Sequence, residues 1–338
     1  MDFLLSIPVL SYFLSPSAAP WSTSLNLIFF YMTWSTLILS HSPLAVHLFG
    51  ILGIRLVFYL IPSLLTLLFD VSVPTLAEGL KHGGRSALPP RNARALSRLL
   101  ALVLLNLALT TAVESGLSFA YLAALGHTEF KTTTTLPLPW QIFKHAVILM
   151  TARGILHYYV HRFLLHGPHL RSVARRHRAF SHCRGGAPFS MQLMADHPLP
   201  LLLDHLLPIY LPCLVLRPHL LVYFLFVAIC TVEETIAMSG YNTIPGIILG
   251  GIARRTAIHY AGGGSTNFGR LGILDWVNGT SGASPSFNAD EKSNAGYFGE
   301  QQEEEEHEAS LSSEMRSYSQ RTLMTAQDAR SQFPDAER

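Results

Sequence analysis

Charge is scarce in this chain. Of its 338 residues only 14% are Asp, Glu, Lys or Arg, where a soluble domain carries roughly a quarter. With 49% apolar residues and a mean hydropathy of +0.30, the composition excludes an ordinary water-soluble globule and points to a membrane protein. Cysteine is nearly absent as well: Cys183, Cys213 and Cys230 lie far apart without a CxxC pair, which excludes a disulfide framework and a thiolate zinc site. No glycine-rich nucleotide fingerprint follows a strand, and no CxxCH haem attachment occurs, so electrons for any redox chemistry must come from another chain. The net charge of +2 is nearly balanced. No nucleic acid partner is expected.

What the chain has in quantity is long apolar runs. Spans of roughly 20 residues are long enough to cross a bilayer, and such runs are read near Trp21 to Ser40, from Pro43 to Phe69 and from Leu99 to Leu125. A fourth apolar helix starts at about Trp140 and leads into a histidine-rich stretch. Beyond it, the apolar segment from Pro198 to Glu234, broken by prolines and by Arg217, reads as a hairpin that dips into the membrane and returns. The N-terminal residues open with Asp2 rather than a basic residue and place Pro20 after the small residues, which favours an interfacial or uncleaved segment over a cleaved signal. The fold class expected is all-α: an integral membrane helical bundle with a histidine-rich metal-binding cap.

Arginine and lysine accumulate on the cytoplasmic side of membranes. The loop with Lys81, Arg85, Arg91, Arg94 and Arg98, and the segment with Arg162, Arg171, Arg175, Arg176, Arg178 and Arg184, are therefore expected on that side, and the cap with them.

Within that second basic segment stand His157, His161, His166, His177 and His182. His157 and His161 are four residues apart and share a helical face, whereas His161 and His166 are five apart and diverge by roughly 140° on an ideal helix. Gly167 and Pro168 close the helix there, and a loosened last turn would swing His166 back. His177 and His182 repeat the five-residue spacing and need the same relaxation. One histidine in a basic juxtamembrane loop is a headgroup contact, but imidazoles at repeated short spacing are what an iron, copper or zinc site needs.

The ordered stretches "HRFLLH", "HRAFSHC", "ADHPLP", "SGYNTIP" and "HYAGGGSTNFGRLGILDWVNGT" resemble the fatty acid hydroxylase and sterol desaturase superfamily, whose members carry HX3-4H, HX2-3HH and a C-terminal HX2-3HH. The resemblance covers roughly residues 140–280, with 1–139 as N-terminal membrane-spanning helices and loops. It implies a multi-pass protein of the endoplasmic reticulum membrane whose cytoplasmic histidines hold two iron ions. It further implies oxidation of a lipid, sterol or similar hydrophobic substrate with dioxygen, as hydroxylase or desaturase, and electrons from a separate cytochrome b5 and its reductase. Carried over position by position, the metal-binding and catalytic histidines are His161 and His166, His177 and His182, His197, and His259; His157 joins by helical geometry alone.

The chain departs from the pattern at four places. Ser181, Thr256 and Tyr260 stand where the motifs have histidine, and Met238 stands where members often read His-Ser-Gly-Tyr. Water, Tyr260 or a carboxylate such as Glu233 or Glu234 could fill the gaps, although that pair also reads as balancing arginines. Asp196 is expected to orient a neighbouring imidazole. The losses keep a second function class open, a catalytically silent scaffold or binding protein, beside an enzyme acting on a non-lipid hydrophobic metabolite. Gly262 to Gly264 read as a flexible turn. Asn278-Gly-Thr, a formal glycosylation sequon, is expected to stay unmodified on the cytoplasmic side. Residues 281–338, with the acidic block Glu303 to Glu306 and His307, read as a disordered cytoplasmic tail.

Overall fold

The computed structural model describes residues 20–182 and 186–282. The N-terminal interfacial segment, Cys183, Arg184 and the acidic tail with His307 lie outside the described residues. Among those described the chain is all-helical, without a strand. Ten helices carry the argument: α1 (Pro20–Ser40), α2 (Pro43–Ser72), α3 (Pro74–Leu80), α4 (Ala93–Leu125) and α5 (Pro139–Val160), then α6 (Arg171–Ser181), α7 (Pro198–Leu216), α8 (Leu220–Met238), α9 (Ile247–Ala261) and α10 (Ile273–Val277).

Local chemistry sets their ends. Ser42 accepts a hydrogen bond from the Ala45 amide and Pro43 opens α2, while Asn92 caps α4 and Gly126, at φ 72°, terminates it; these are the residue types that satisfy or stop a helix at those positions. Four helices, α2, α4, α7 and α8, are long and apolar enough to cross a membrane, which fits a multi-pass membrane protein. The expected fourth span is present as α5, but Lys144, Arg153 and His157 keep it out of that apolar set. The segment read as a hairpin that dips in and returns consists of two helices, α7 and α8, joined at Arg217, whose φ is 45°. Outward-facing Phe29, Leu65, Leu68, Leu105 and Phe119 are exposed, as lipid-facing side chains are.

The core lies among α2, α5, α7 and α8. Tyr223, Phe226, Leu149, Cys213 and Cys230 are buried there, and Phe130 stacks on Tyr223 with ring centroids 4.2 Å apart. Cys213 and Cys230 are free thiols.

Charge is buried inside this apolar bundle only where it is paired, since an unpaired ion in such surroundings is very costly. Arg55 of α2 donates to Glu114 of α4 and, at 2.8 Å, to Thr111, while Glu114 also meets His47 at 3.3 Å and the Tyr223 hydroxyl. Lys81, counted in the sequence with the basic loop, is buried against Asp70, which also accepts from Tyr241. That ties the end of α2 to the segment after α8.

Two sets of loops mark the ends of the bundle. At one, Lys131 exchanges backbone hydrogen bonds with Pro218 and Leu220, and Arg217 reaches His127 and Thr128. At the other, His82 and Asn242 pair with Gly240 and Leu80. The basic loop after α3 and the histidines at the end of α5 share this second end.

Candidate metal centre

The centre starts where α5 stops being α-helical. Residues His161–Leu165 form a π-helical turn, closed by the His166 amide bonding to the His161 carbonyl at 3.1 Å. A π turn holds about one extra residue, so the five-residue spacing that diverges on an α-helix returns His166 to the face of His161. Their ring centroids are 4.8 Å apart. His177 and His182 meet differently. α6 ends at Ser181, and His182 leaves the helix at φ −111° and ψ 7°, which brings its ring to 5.2 Å from His177. No π turn is involved there, because ending the helix achieves the same result.

α9 supplies His259, whose Nε2 is 3.0 Å from His161 Nε2. Two triads emerge with donor atoms within 4.8 Å of one another: His161, His166 and His177, and His166, His182 and His259. Two nitrogens bound to one ion at roughly 2.1 Å lie no more than about 4.2 Å apart, so small ring movements complete either set. A third group joins His157, His161 and Asp204.

Three imidazoles have their Nδ1 sides held. His161 donates to Asp204 at 2.8 Å, His177 to Asp196 at 2.5 Å and His259 to the Thr266 carbonyl at 2.7 Å. Such bonds fix the tautomer and present Nε2 as a ligand. Asp196 is thus placed as the acceptor anticipated from the sequence, and its second oxygen receives the His197 amide. The opposite nitrogens of the cluster are buried without a partner: Nε2 of His166 and His177, and both ring nitrogens of His182. Burial pushes the pKa of His166 and His182 well down, and that of His259 down to about 4. The rings are therefore neutral, as ligands must be. Orphaned, neutral, converging imidazoles fit a transition metal.

His197 is not brought to this cluster. It caps α7, its Nδ1 accepting from the Leu199 amide at 3.3 Å, and its ring packs on Phe180. Glu233 and Glu234 are likewise drawn into ion pairing. Arg153 holds both, at 3.1 and 2.7 Å, and Arg270 reaches Glu234 at 3.0 Å. The reading of this carboxylate pair as a balance for arginines therefore holds, and the pair is buried.

Asp204 and His205, which the sequence reading passed over, stand on a second π turn, Leu202–Leu206. Asp204 orients His161, and His205 lies 2.8 Å from Glu234. The available signal was a charged pair in the middle of an apolar run, a place where ionisable residues are rarely idle.

A cavity of about 60 Å³ opens among the histidines, with His157, His161, His177 and His259 on its wall. Ser181, Met238, Thr256 and Tyr260, the four positions that depart from the histidine pattern, all line it, together with Gln192, Leu193 and Phe268. Tyr260 also stacks on His182 at 4.7 Å. The "NFG...LDWVNGT" stretch, whose Asn267 to Arg270 line the cavity, is held together by Asp275. This fully buried carboxylate accepts from the amides of Phe268 and Gly269 and from the Thr280 hydroxyl.

No solved structure matches this chain. The model of the fatty acid hydroxylase family does match, over residues 146–280, the stretch that contains every histidine of the cluster. Over those residues the chain is similar to the fatty acid hydroxylase family.

Proposed function

We propose that this chain is a membrane-bound, iron-dependent hydroxylase or desaturase that uses dioxygen to oxidise a lipid or sterol-like substrate at the cytoplasmic face of the endoplasmic reticulum. The observation that carries the reading is the group of buried, unpartnered imidazole nitrogens on His166, His177 and His182. Each unsatisfied buried group costs about 1–3 kcal/mol, and several costs of that kind concentrated in one place are explained by a ligand that offsets them.

A bound iron would supply the open coordination positions and oxidising strength that cleavage of an unactivated C–H bond requires. The work of the chain is to hold it and to shape the space around it. His161, His166, His177, His182 and His259 would be the ligands, with Asp204, Asp196 and the Thr266 carbonyl keeping three of the rings in the ligating tautomer. The cavity, about 60 Å³, has room for roughly four water-sized groups. It suits a reacting carbon and a small oxygen species rather than a whole lipid chain. Leu193, Met238 and Phe268 give it part of an apolar wall. The rest of a lipid substrate would lie along the exposed apolar faces of the bundle.

Electrons come from a separate donor in this reading, cytochrome b5 with its reductase. The exposed Arg171, Arg175, Arg176 and Arg178 on α6, beside His177, offer a basic face for an acidic carrier. The silent-scaffold reading is favoured by one observation, the replacement of histidine at Ser181, Met238, Thr256 and Tyr260.

Metal analysis by mass spectrometry of detergent-purified protein decides between the two. Iron bound to wild type and lost from His161→Ala/His182→Ala is the expected result, followed by oxygen-dependent oxidation of a lipid panel with a reconstituted donor. Folded protein that takes up no metal would establish the scaffold instead.

A further inference from the structure

We infer that the histidine centre takes one metal ion rather than two, bound by His161, His166, His177, His182 and His259, and that Ser181, Met238, Thr256 and Tyr260 have filled in the place of a second. The inference rests on the metal-dependent reading above and sharpens it.

Five rings pack against one another. His161, His177, His182 and His259 follow one another in a closed circuit, with centroid separations of 5.4, 5.2, 5.0 and 4.9 Å. His166 stands over all four, at 4.8, 5.1, 5.0 and 5.0 Å. It belongs to both triads of converging donors, so the triads are two halves of one site rather than two sites. The 3.0 Å between the Nε2 atoms of His161 and His259 is also the spacing of two nitrogens at right angles on one ion at roughly 2.1 Å. Since Nδ1 of His161, His177 and His259 is already engaged, each of those rings has a single nitrogen to give.

A second ion would have to be held from the cavity side. The four replaced positions meet there, around about 60 Å³, and they offer three hydroxyls and a thioether in place of imidazole, a poorer donor set for iron. Of the other donors on that wall, both oxygens of Asp196 are engaged and His205 Nδ1 faces Glu234 at 2.8 Å. That leaves His157, whose Nδ1 is unpartnered, and Asp204. With His161 these two make up the third group of converging donors, but that ring has its Nδ1 on Asp204 and its one remaining nitrogen given to the first ion, so two protein ligands are left, fewer than the three or four that resident metal sites normally have.

The test strips the full-length protein in detergent with a chelator, reloads it with excess ferrous iron or, separately, zinc, and counts ions per chain after desalting. One is expected. His157→Ala keeps it and His166→Ala loses it, whereas Ser181→His/Thr256→His/Tyr260→His raises the count to two. Oxidised, iron-loaded protein should give the paramagnetic resonance of an isolated ferric ion, where a coupled pair is silent; this separates one full site from two half-filled ones. Two ions per wild-type chain with a silent pair, or loss of the ion in His157→Ala, overturns the single-ion inference and leaves the proposed function standing. No ion in folded wild type overturns the proposed function itself. Should His166→Ala fail to fold, the wild-type count, the resonance and His157→Ala still decide.

Discussion

Gly264 shows how a missing side chain fixes a ligand. Its φ is +79°, and a Cβ built there would overlap the His166 ring. The backbone is therefore part of the wall against which His166 rests, and the run read from the sequence as a flexible turn is a close approach. Gly264→Ala is expected to displace His166 and weaken metal binding at least tenfold, the scale of disturbances to groups that orient ligands. Gly263→Ala is the control: its φ is +62° with nothing near the new methyl, so it carries the backbone strain without the collision. Metal titration of the two variants separates these effects, and equal losses would refute the role given to Gly264. The carboxylates teach a related lesson. Asp196 announced itself beside a histidine, but Asp204 lies 43 residues from the ring it orients, a separation no local pattern reveals.

At the scale of elements, the π turn at His161–Leu165 is what makes a five-residue spacing useful. Deleting Phe163, which is 39% exposed, should let the turn relax to α-helix with a four-residue spacing, which keeps the histidine on the same face. Deleting Phe163 and Leu164 together rotates it about 100° away. The single deletion is therefore expected to retain bound metal and the double deletion to lose it, as read by metal content in folded protein. Retention in both would mean that the π turn does not set the position of His166. The need for a loosened turn was legible from the spacing and from Gly167-Pro168. The second pair needed the same kind of relaxation, and α6 supplies it by stopping at Ser181. Helices α2, α4 and α8 were legible as apolar runs, whereas α5 shows that hydropathy alone undercounts a helix whose polar residues face partners.

Across the whole molecule, the cap is a store of neutral imidazoles. His259 titrates at about 4 when folded, because it is buried, against roughly 6.5 in an unfolded chain. As pH falls below about 6.5 the unfolded chain takes up protons that the folded one refuses, so stability is present above that pH and is lost progressively down to about pH 4. His259 alone contributes about 3 kcal/mol to this change, and His166 and His182 shift in the same direction. Metal-free protein should melt at a clearly lower temperature at pH 5 than at pH 7.5, and bound metal should reduce the difference. An unchanged melting temperature would mean that the rings are not held neutral. The membrane-bundle class and the histidine centre were legible because composition and motif order are local properties. The pairing of Arg153 and Arg270 with Glu233 and Glu234 was not, since it depends on which helices become neighbours.

The ion pair between Arg55 and Glu114 has a consequence for biosynthesis. Arg55 lies near the middle of α2, where a lone arginine costs about 2.5–3.5 kcal/mol in the bilayer, and its counter-ion is 59 residues further along. Until α4 is in place, α2 carries that cost unrelieved. The charge is therefore neutralised only once both helices are in the bilayer, and the order in which they emerge bears on how the bundle is sealed.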